Sequence, residues 1–254
     1  MFKYSLVNKL RNKLKKKYSV GAWMQLGNSS VAEIISCSGY DWVAIDMEHG
    51  SISINQLPDL FRAIINKTKS LPFVRTYTLD PHVNQRLLDA GAAGIIFPRI
   101  DNAVQVKNLV KFLNFYPIGN RGIGFSISNN FGNNLLDQIR NFKPFIVIMI
   151  ESLEGVKNLN EILKVKRIDA VLIGPYDLSA SMNLLGKFSS KKFTSVIDRI
   201  LSECRKSKIP CGLHIVDADK NNLLKKIKKG FKFLAYGMDT EILKNYYKYP
   251  LNFR

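Results

Sequence analysis

Short apolar runs alternate with stretches of helical periodicity from one end of the chain to the other. Runs over 20–26, 42–46, 72–75, 94–98, 145–151, 170–173, 210–215 and 233–236 read as strands, because each is brief, apolar and bounded by polar or turn-forming residues. Between them, apolar positions spaced by three or four predict helices over 30–38, 55–66, 81–90, 102–113, 153–163, 191–206, 218–229 and 240–246. Asp80 before Pro81 is a helix start, and Asp217 and Asp239 stand before two further periodic runs. At the N-terminus Phe2, Leu6, Leu10 and Leu14 recur every four residues, predicting a short helix docked on the body.

Eight strands alternating with helices imply a parallel sheet with right-handed crossovers, and eight such units can close on themselves. The expected fold is α/β, a single-domain (β/α)₈ TIM barrel over residues 1–254, with an N-terminal helix in 1–18 and the barrel in 19–254. A doubly wound open sheet is the alternative, but no Gly-x-Gly-x-x-Gly follows the first strand. A phosphate-cradling Gly-x-x-x-x-Gly-Lys-Ser/Thr loop is also missing. Only the stretch 116–143 breaks the rhythm. It shows no clear helix and reads as an extended loop on the C-terminal face, carrying Arg121, Gly122 and Gly124.

Composition narrows the function classes. A chain of 254 residues, 46% hydrophobic and 23% charged, is globular rather than disordered. No apolar run approaches the ~20 residues needed to span a bilayer, so no membrane association is expected. The 3 cysteines, Cys37, Cys204 and Cys211, lack Cys-x-x-Cys spacing, which argues against a disulfide scaffold or structural zinc and for a reducing compartment. With no apolar core for a secretory signal at the N-terminus, a cytoplasmic protein is expected. The net charge of +18 invites a nucleic-acid reading. Yet the cations are mostly Lys, spread along the chain. The dense clusters Lys13 to Lys17 and Lys225 to Lys229 have no aromatics interleaved for base stacking. A solvated, Lys-rich surface with no nucleic-acid partner is the simpler reading.

Reactive groups of a parallel barrel gather where its strands end. The second strand ends in Asp46-Met47-Glu48-His49-Gly50, the third in Arg75, the fifth in Met149-Ile150-Glu151, and the sixth runs into Gly174-Pro175-Tyr176-Asp177. Glu151 and Asp177 are metal candidates, since paired carboxylates suit Mg²⁺ or Mn²⁺ with bound water; a helix cap or an ion pair is the bland reading of each. His49 is the natural acid/base. His82 competes but falls in the first turn of a helix, and His214 lies within a strand. Arg75 suits a bidentate grip on a carboxylate, or a salt bridge to an acid of the next strand. Asp89, by physics alone, is an exposed helix residue.

These residues come in a known order. Ile45-Asp46-Met47-Glu48-His49-Gly50, Val74-Arg75, Leu87-Leu88-Asp89-Ala90-Gly91-Ala92, Arg121-Gly122-Ile123-Gly124, Ile150-Glu151 and Ile173-Gly174-Pro175-Tyr176-Asp177-Leu178-Ser179 resemble the HpcH/HpaI aldolases. These are metal-dependent class II pyruvate aldolases typified by 2,4-dihydroxyhept-2-ene-1,7-dioate aldolase, and the resemblance runs from about Gly21 to Leu243. It implies a (β/α)₈ barrel, often a hexamer whose subunits exchange their last helix. It implies metal binding by Glu151 and Asp177, with Mg²⁺ or Mn²⁺, and Co²⁺ also admissible. His49 matches the catalytic base, Asp89 the acid that partners it across a subunit interface, and Arg75 the group on the pyruvyl oxygens. Gly174 and Pro175 would lie against pyruvate, Arg121 and Gly122 near the pocket mouth, and Asp46 near the aldehyde side. One position departs: Met149 stands where the family usually has Gln, and the two-residue period of a strand puts it on the same face as Glu151. The implied activity is reversible aldol cleavage of a 4-hydroxy-2-oxo acid to pyruvate and an aldehyde. The alternatives are a related 2-oxo-acid lyase or condensing enzyme, and a catalytically inactive basic barrel that binds nucleic acid.

Overall fold

The computed structural model describes residues 4–66 and 68–250. Eight parallel strands close into a barrel in sequential order: β1 Ser19–Met24, β2 Trp42–Asp46, β3 Leu71–Arg75, β4 Gly94–Phe97, β5 Phe145–Ile150, β6 Ala170–Ile173, β7 Cys211–Ile215 and β8 Phe233–Met238. The main crossover helices are α2 Ser29–Cys37, α3 Leu57–Ile65, α4 Pro81–Ala90, α5 Ala103–Leu113, α10 Lys191–Lys206 and α11 Lys220–Lys229, and α12 Asp239–Lys248 follows the last strand. The open-sheet alternative is excluded by the pairing of β1 with β8.

The N-terminal end of the barrel is plugged by aromatic rings. Trp42 stacks on Phe233 with centroids 4.5 Å apart, and Phe73 and Phe145 complete the layer at 5.3 Å from each other. Gly21 makes room for it, since a Cβ there would overlap the Trp42 indole. A sealed floor leaves the opposite mouth, at the C-terminal ends of the strands, as the place for a site. Helix α1 Tyr4–Lys16 lies across the sealed end, where Arg11 Nε donates to Asp169 Oδ1 at 2.7 Å and Arg11 Nη2 to the carbonyls of Lys143 and Pro144.

Several elements differ from expectation. The buried face of α1 is Tyr4, Val7, Leu10 and Leu14, with Leu6 only half-buried; Phe2 lies outside the described residues. A strict four-residue step drifts about 40° per repeat around a helix of 3.6 residues per turn, so the face mixes threes and fours. The expected helix over 153–163 is two short ones, α7 Leu153–Lys157 and α8 Leu159–Leu163, broken at Asn158, whose amide donates to Asp101 O at 2.8 Å. Helix α11 is capped by Asp219, not Asp217. Asp239 lies inside α12, and its carboxylate accepts from the Gln25 and Leu26 amides at 2.9 Å, tying β8 to β1.

The largest correction concerns 116–143. This stretch follows α5, which has already returned the chain to the N-terminal end, so it is an αβ connection on the sealed face and not a loop over the mouth. It contains a 3₁₀ turn, Ile127–Asn129, and helix α6 Leu135–Asn141. Buried Gln138 organises it, donating to Ser128 Oγ at 2.6 Å and accepting from Asn129 at 3.0 Å. A helix held by a polar network carries no apolar period to read.

Candidate active site

Strand register builds the first half of the site. Asp46 and Arg75 are partners across β2 and β3. Arg75 Nε donates to Asp46 Oδ1 at 2.9 Å and Nη2 to Oδ2 at 2.6 Å, a bidentate pair. Arg75 Nη1 reaches Glu48 at 3.1 Å, and the guanidinium lies 5.1 Å from the Trp23 ring centroid. Asp46 is wholly buried and also accepts from Trp23 Nε1, Gln25 Nε2 and the amides of Glu48 and His49. Burial alone would raise its pKa, but the bonds and charge of Arg75, with those of Gln25 and His49, hold it down at about 2. Asp46, expected near the aldehyde side of the pocket, stands beneath Arg75 as its counter-ion. Its bonds to the Glu48 and His49 amides also shape the turn that carries His49, whose side chain is exposed beside the cavity described below.

The second half comes from β5 and β6. Glu151 follows β5 and is 6% exposed. Burial raises its pKa to about 7; the Arg99 amide, donating at 2.6 Å, opposes this, and the charges of Asp177 and Glu48 add to it. Gly174, after β6, is required here, since a Cβ would overlap the Glu151 carboxylate. Pro175 then opens helix α9, Pro175–Ser181, which the sequence pattern did not reveal, and Asp177 sits exposed in its first turn rather than capping it. Among the described residues no three His, Cys, Asp or Glu side chains cluster at metal-binding reach. The two carboxylates nonetheless suit a hard divalent cation. Mg²⁺ is usually held by one or two carboxylates with remaining positions left to water and substrate. A carboxylate whose pKa burial raises to about 7, with the charges of Asp177 and Glu48 adding to it, is an oxygen donor short of a cation.

His49, Arg75, Met149, Gly174, Pro175 and Asp177 line one cavity of about 380 Å³, joined by Trp23, His214, Val216 and Met238. His214 stacks on Trp23 at 4.7 Å and shares a 3.0 Å hydrogen bond with the Gly237 carbonyl. Burial pushes its pKa down to about 4, with that carbonyl opposing and Arg75 assisting. Trp23, Gln25 and Glu48 were given no role in the sequence reading. Trp23 and Gln25 sit two apart at the end of β1, the same strand-end signal that marked the others. His82 is exposed in the first turn of α4.

Two expected site residues lie elsewhere in this chain. Asp89 is near the C-terminus of α4, 2.6 Å from Arg121. The Arg121 side chain is 1% exposed, with its guanidinium 4.6 Å from the Phe115 ring centroid. Within the single chain Arg121 thus lies with Asp89 and the rest of its loop at the sealed end, and neither it nor Gly122 lines the cavity.

Residues 19–245 match the HpcH/HpaI aldolase/citrate lyase family. A hydroxypyruvate/pyruvate aldolase of Roseobacter denitrificans is 30% identical over 231 residues, 89% of this chain and 88% of that one. A 4-hydroxy-2-oxo-heptane-1,7-dioate aldolase of Escherichia coli is 31% identical over 227 residues, 88% and 86%. The crystal structure of an HpcH/HpaI aldolase/citrate lyase family protein from Burkholderia cenocepacia J2315 superposes with a TM-score of 0.90 at 27% identity, covering 96% of this chain and 98% of that one.

Proposed function

This chain belongs to the HpcH/HpaI aldolase/citrate lyase family, and from that premise we propose that it is a class II, divalent-metal-dependent pyruvate aldolase, reversibly cleaving a 4-hydroxy-2-oxo acid to pyruvate and an aldehyde. The observation that carries the reading is the buried Glu151 carboxylate within the field of Asp177, which lines one cavity with Arg75 and His49. Mg²⁺, Mn²⁺ or Co²⁺ held by Glu151 and Asp177 would act as a Lewis acid on the 2-oxo group.

The remaining work falls to side chains. Arg75, fixed on one side by Asp46 and Glu48 and on another by Trp23, places its charge beside the oxygens of the 2-oxo acid with little freedom to lose on binding. His49, directly or through water, takes the C4 hydroxyl proton as the C3–C4 bond breaks. Gly174 and Pro175 bring backbone close to the bound acid. Met149 forms an apolar wall where an amide would have offered a donor and an acceptor.

A cytoplasmic homo-oligomer, with six subunits by resemblance, completes the proposal. Ile242, Leu243, Tyr246 and Tyr247 of α12 are all exposed in a single chain, and an apolar helix face of this kind is stabilised by a second copy. In such an assembly Asp89 would reach a neighbour's His49. No helix among the described residues is long and apolar enough to cross a membrane.

The test is pyruvate release from a generic 4-hydroxy-2-oxo acid by protein supplied with Mn²⁺. Activity should vanish in EDTA and in Asp177→Ala, with the fold retained. Full turnover in EDTA would overturn the metal-dependent reading, and a salt-sensitive nucleic-acid shift without any turnover would favour the inactive basic barrel.

A further inference from the structure

The sealed end of the barrel carries a second cavity, of about 800 Å³, that shares no lining residue with the one at the mouth. It lies beside α1, where the chain turns into β6, β7 and β8. Its floor is apolar, formed by the buried side chains of Leu14, Ile168 and Leu201. Its rim is cationic, with Lys15 from α1, Arg205 from the end of α10, Lys208 before β7 and Lys232 before β8. Gly230, at φ 104°, lets the Arg205 guanidinium lie against the end of α11, where a Cβ would meet it. Elements far apart in sequence assemble this rim, so no single basic run announces it.

A full charge count leaves the rim positive. Asp169 is the acid among the lining residues. Its Oδ1 accepts from Arg11 Nε at 2.7 Å, and its Oδ2 from Arg11 Nη2 at 3.0 Å and the Ile146 amide at 2.9 Å. Arg11 and Asp169 therefore cancel. The remaining cations meet neutral oxygens at most among the described residues: Lys15 Nζ donates to Asn12 Oδ1 at 3.2 Å, Lys232 Nζ to the Lys15 carbonyl at 3.1 Å and Arg205 Nη2 to the Lys229 carbonyl at 3.4 Å. Nearby acids are engaged by other lysines, Asp41 by Lys13, Glu203 by Lys206 and Asp198 by Lys229. The C-termini of α1, α10 and α11 all end at this cavity, each carrying about half a negative charge. Against Lys15, Arg205, Lys208 and Lys232 that leaves an excess of about two and a half positive charges. Lys143, at the same end, has its pKa lowered by burial and then by the charges of Arg167 and Arg11. No lining residue comes from α12 or α4, the helices through which the proposed assembly would meet its neighbours.

We propose that this cavity binds a phosphorylated organic anion of the nucleoside diphosphate class, with its phosphates on Lys15, Arg205, Lys208 and Lys232 and its flat body on Leu14, Ile168 and Leu201. Two or more negative charges match the excess on the rim. The volume lies in the range of whole small-molecule sites, about 300–1,000 Å³. Lys and Arg meet phosphate oxygens through charge-assisted hydrogen bonds, and an apolar floor favours an organic body over a bare anion. The site is independent of the aldolase reading.

Calorimetric titration of the full chain with ADP, adenosine and pyrophosphate, at physiological ionic strength, tests it. ADP should bind at a single saturable site, and adenosine and pyrophosphate each at least about tenfold more weakly. No saturable ADP binding up to about 1 mM overturns the proposal. Pyrophosphate or adenosine as tight as ADP also overturns it. Lys15→Gln with Lys208→Gln should weaken ADP at least about tenfold while leaving the Tm of the unliganded protein unchanged. Removing as much charge elsewhere, by Lys225→Gln with Lys228→Gln on α11, should leave ADP affinity within about twofold. An equal loss in both double variants would reduce the effect to net charge and overturn the site. Arg75→Ala should leave ADP affinity unchanged, and loss of binding there would place the anion in the mouth instead.

Discussion

Arg75 and Glu151 show how much of the site is decided by what each side chain stands next to. Arg75 is held by three partners, so its orientation precedes substrate. Glu151 is in the opposite condition, buried among like charges with its pKa raised to about 7. Unfolded, it would titrate near 4.5, so the folded state binds the extra proton between those values. Its contribution favours folding fully below the unfolded pKa and is lost as pH rises through 7. Metal-stripped protein should lose about 3 kcal/mol from this group between pH 4.5 and 8. Denaturant titrations of wild type and Glu151→Gln check it: the variant should lack that portion of the slope, and Mn²⁺ should restore wild-type stability at the alkaline end. Met149 supplies a second residue-scale prediction. Met149→Gln should tighten pyruvate or raise turnover by up to about tenfold, since one lost hydrogen bond is worth about 0.5–1.5 kcal/mol. Unchanged kinetics with a lower Tm would instead make Met149 barrel filling.

At the scale of elements, the sequence pattern located all eight strands, because a two-sided buried strand is a short apolar run whatever its neighbours. The chemistry at their ends was legible for the same reason: Glu151, Arg75 and the Asp46-to-Gly50 segment interrupt apolar runs with charge. The clamp of Asp46 and Glu48 on Arg75 was not, because it depends on the register between β2 and β3. Nor was the place of Arg121, which required counting which end of the barrel α5 had reached. Helix α9 is one short piece with a proline start and no apolar period. Two predictions belong here. Gly21→Ala drives a methyl into the Trp42 ring and should cost about 1–3 kcal/mol, read as a fall in Tm, while activity of the folded fraction persists because the site lies at the other end. Ile242→Asp with Tyr246→Asp charges the open face of α12 and should release smaller species in sedimentation; an unchanged assembly would place the interface elsewhere.

The whole molecule pairs a strongly positive exterior, net +18, with a mouth that gathers carboxylates. In the proposed aldolase the long-range field would attract a 2-oxo acid anion, and Arg75 with a bound cation would receive it. Such attraction is screened within about 8 Å at physiological ionic strength. Raising salt from about 0.01 to 0.15 M should therefore lower kcat/KM for the anionic substrate several-fold and leave kcat unchanged. A salt-independent kcat/KM would assign the lysines to solubility alone.

The chain has 2 tryptophans, and the barrel separates their surroundings. Trp42 is sealed among phenyl rings in the floor, while Trp23 lies at the mouth between the Arg75 guanidinium and the His214 imidazole. Their fluorescence is accordingly a two-channel optical signal. Emission from Trp42, buried in an apolar floor, should be blue-shifted and insensitive to ligands, moving to the red only on unfolding. Emission from Trp23 responds to whatever enters the cavity, so Trp42→Phe would turn the protein into its own single-site reporter of pyruvate and metal occupancy.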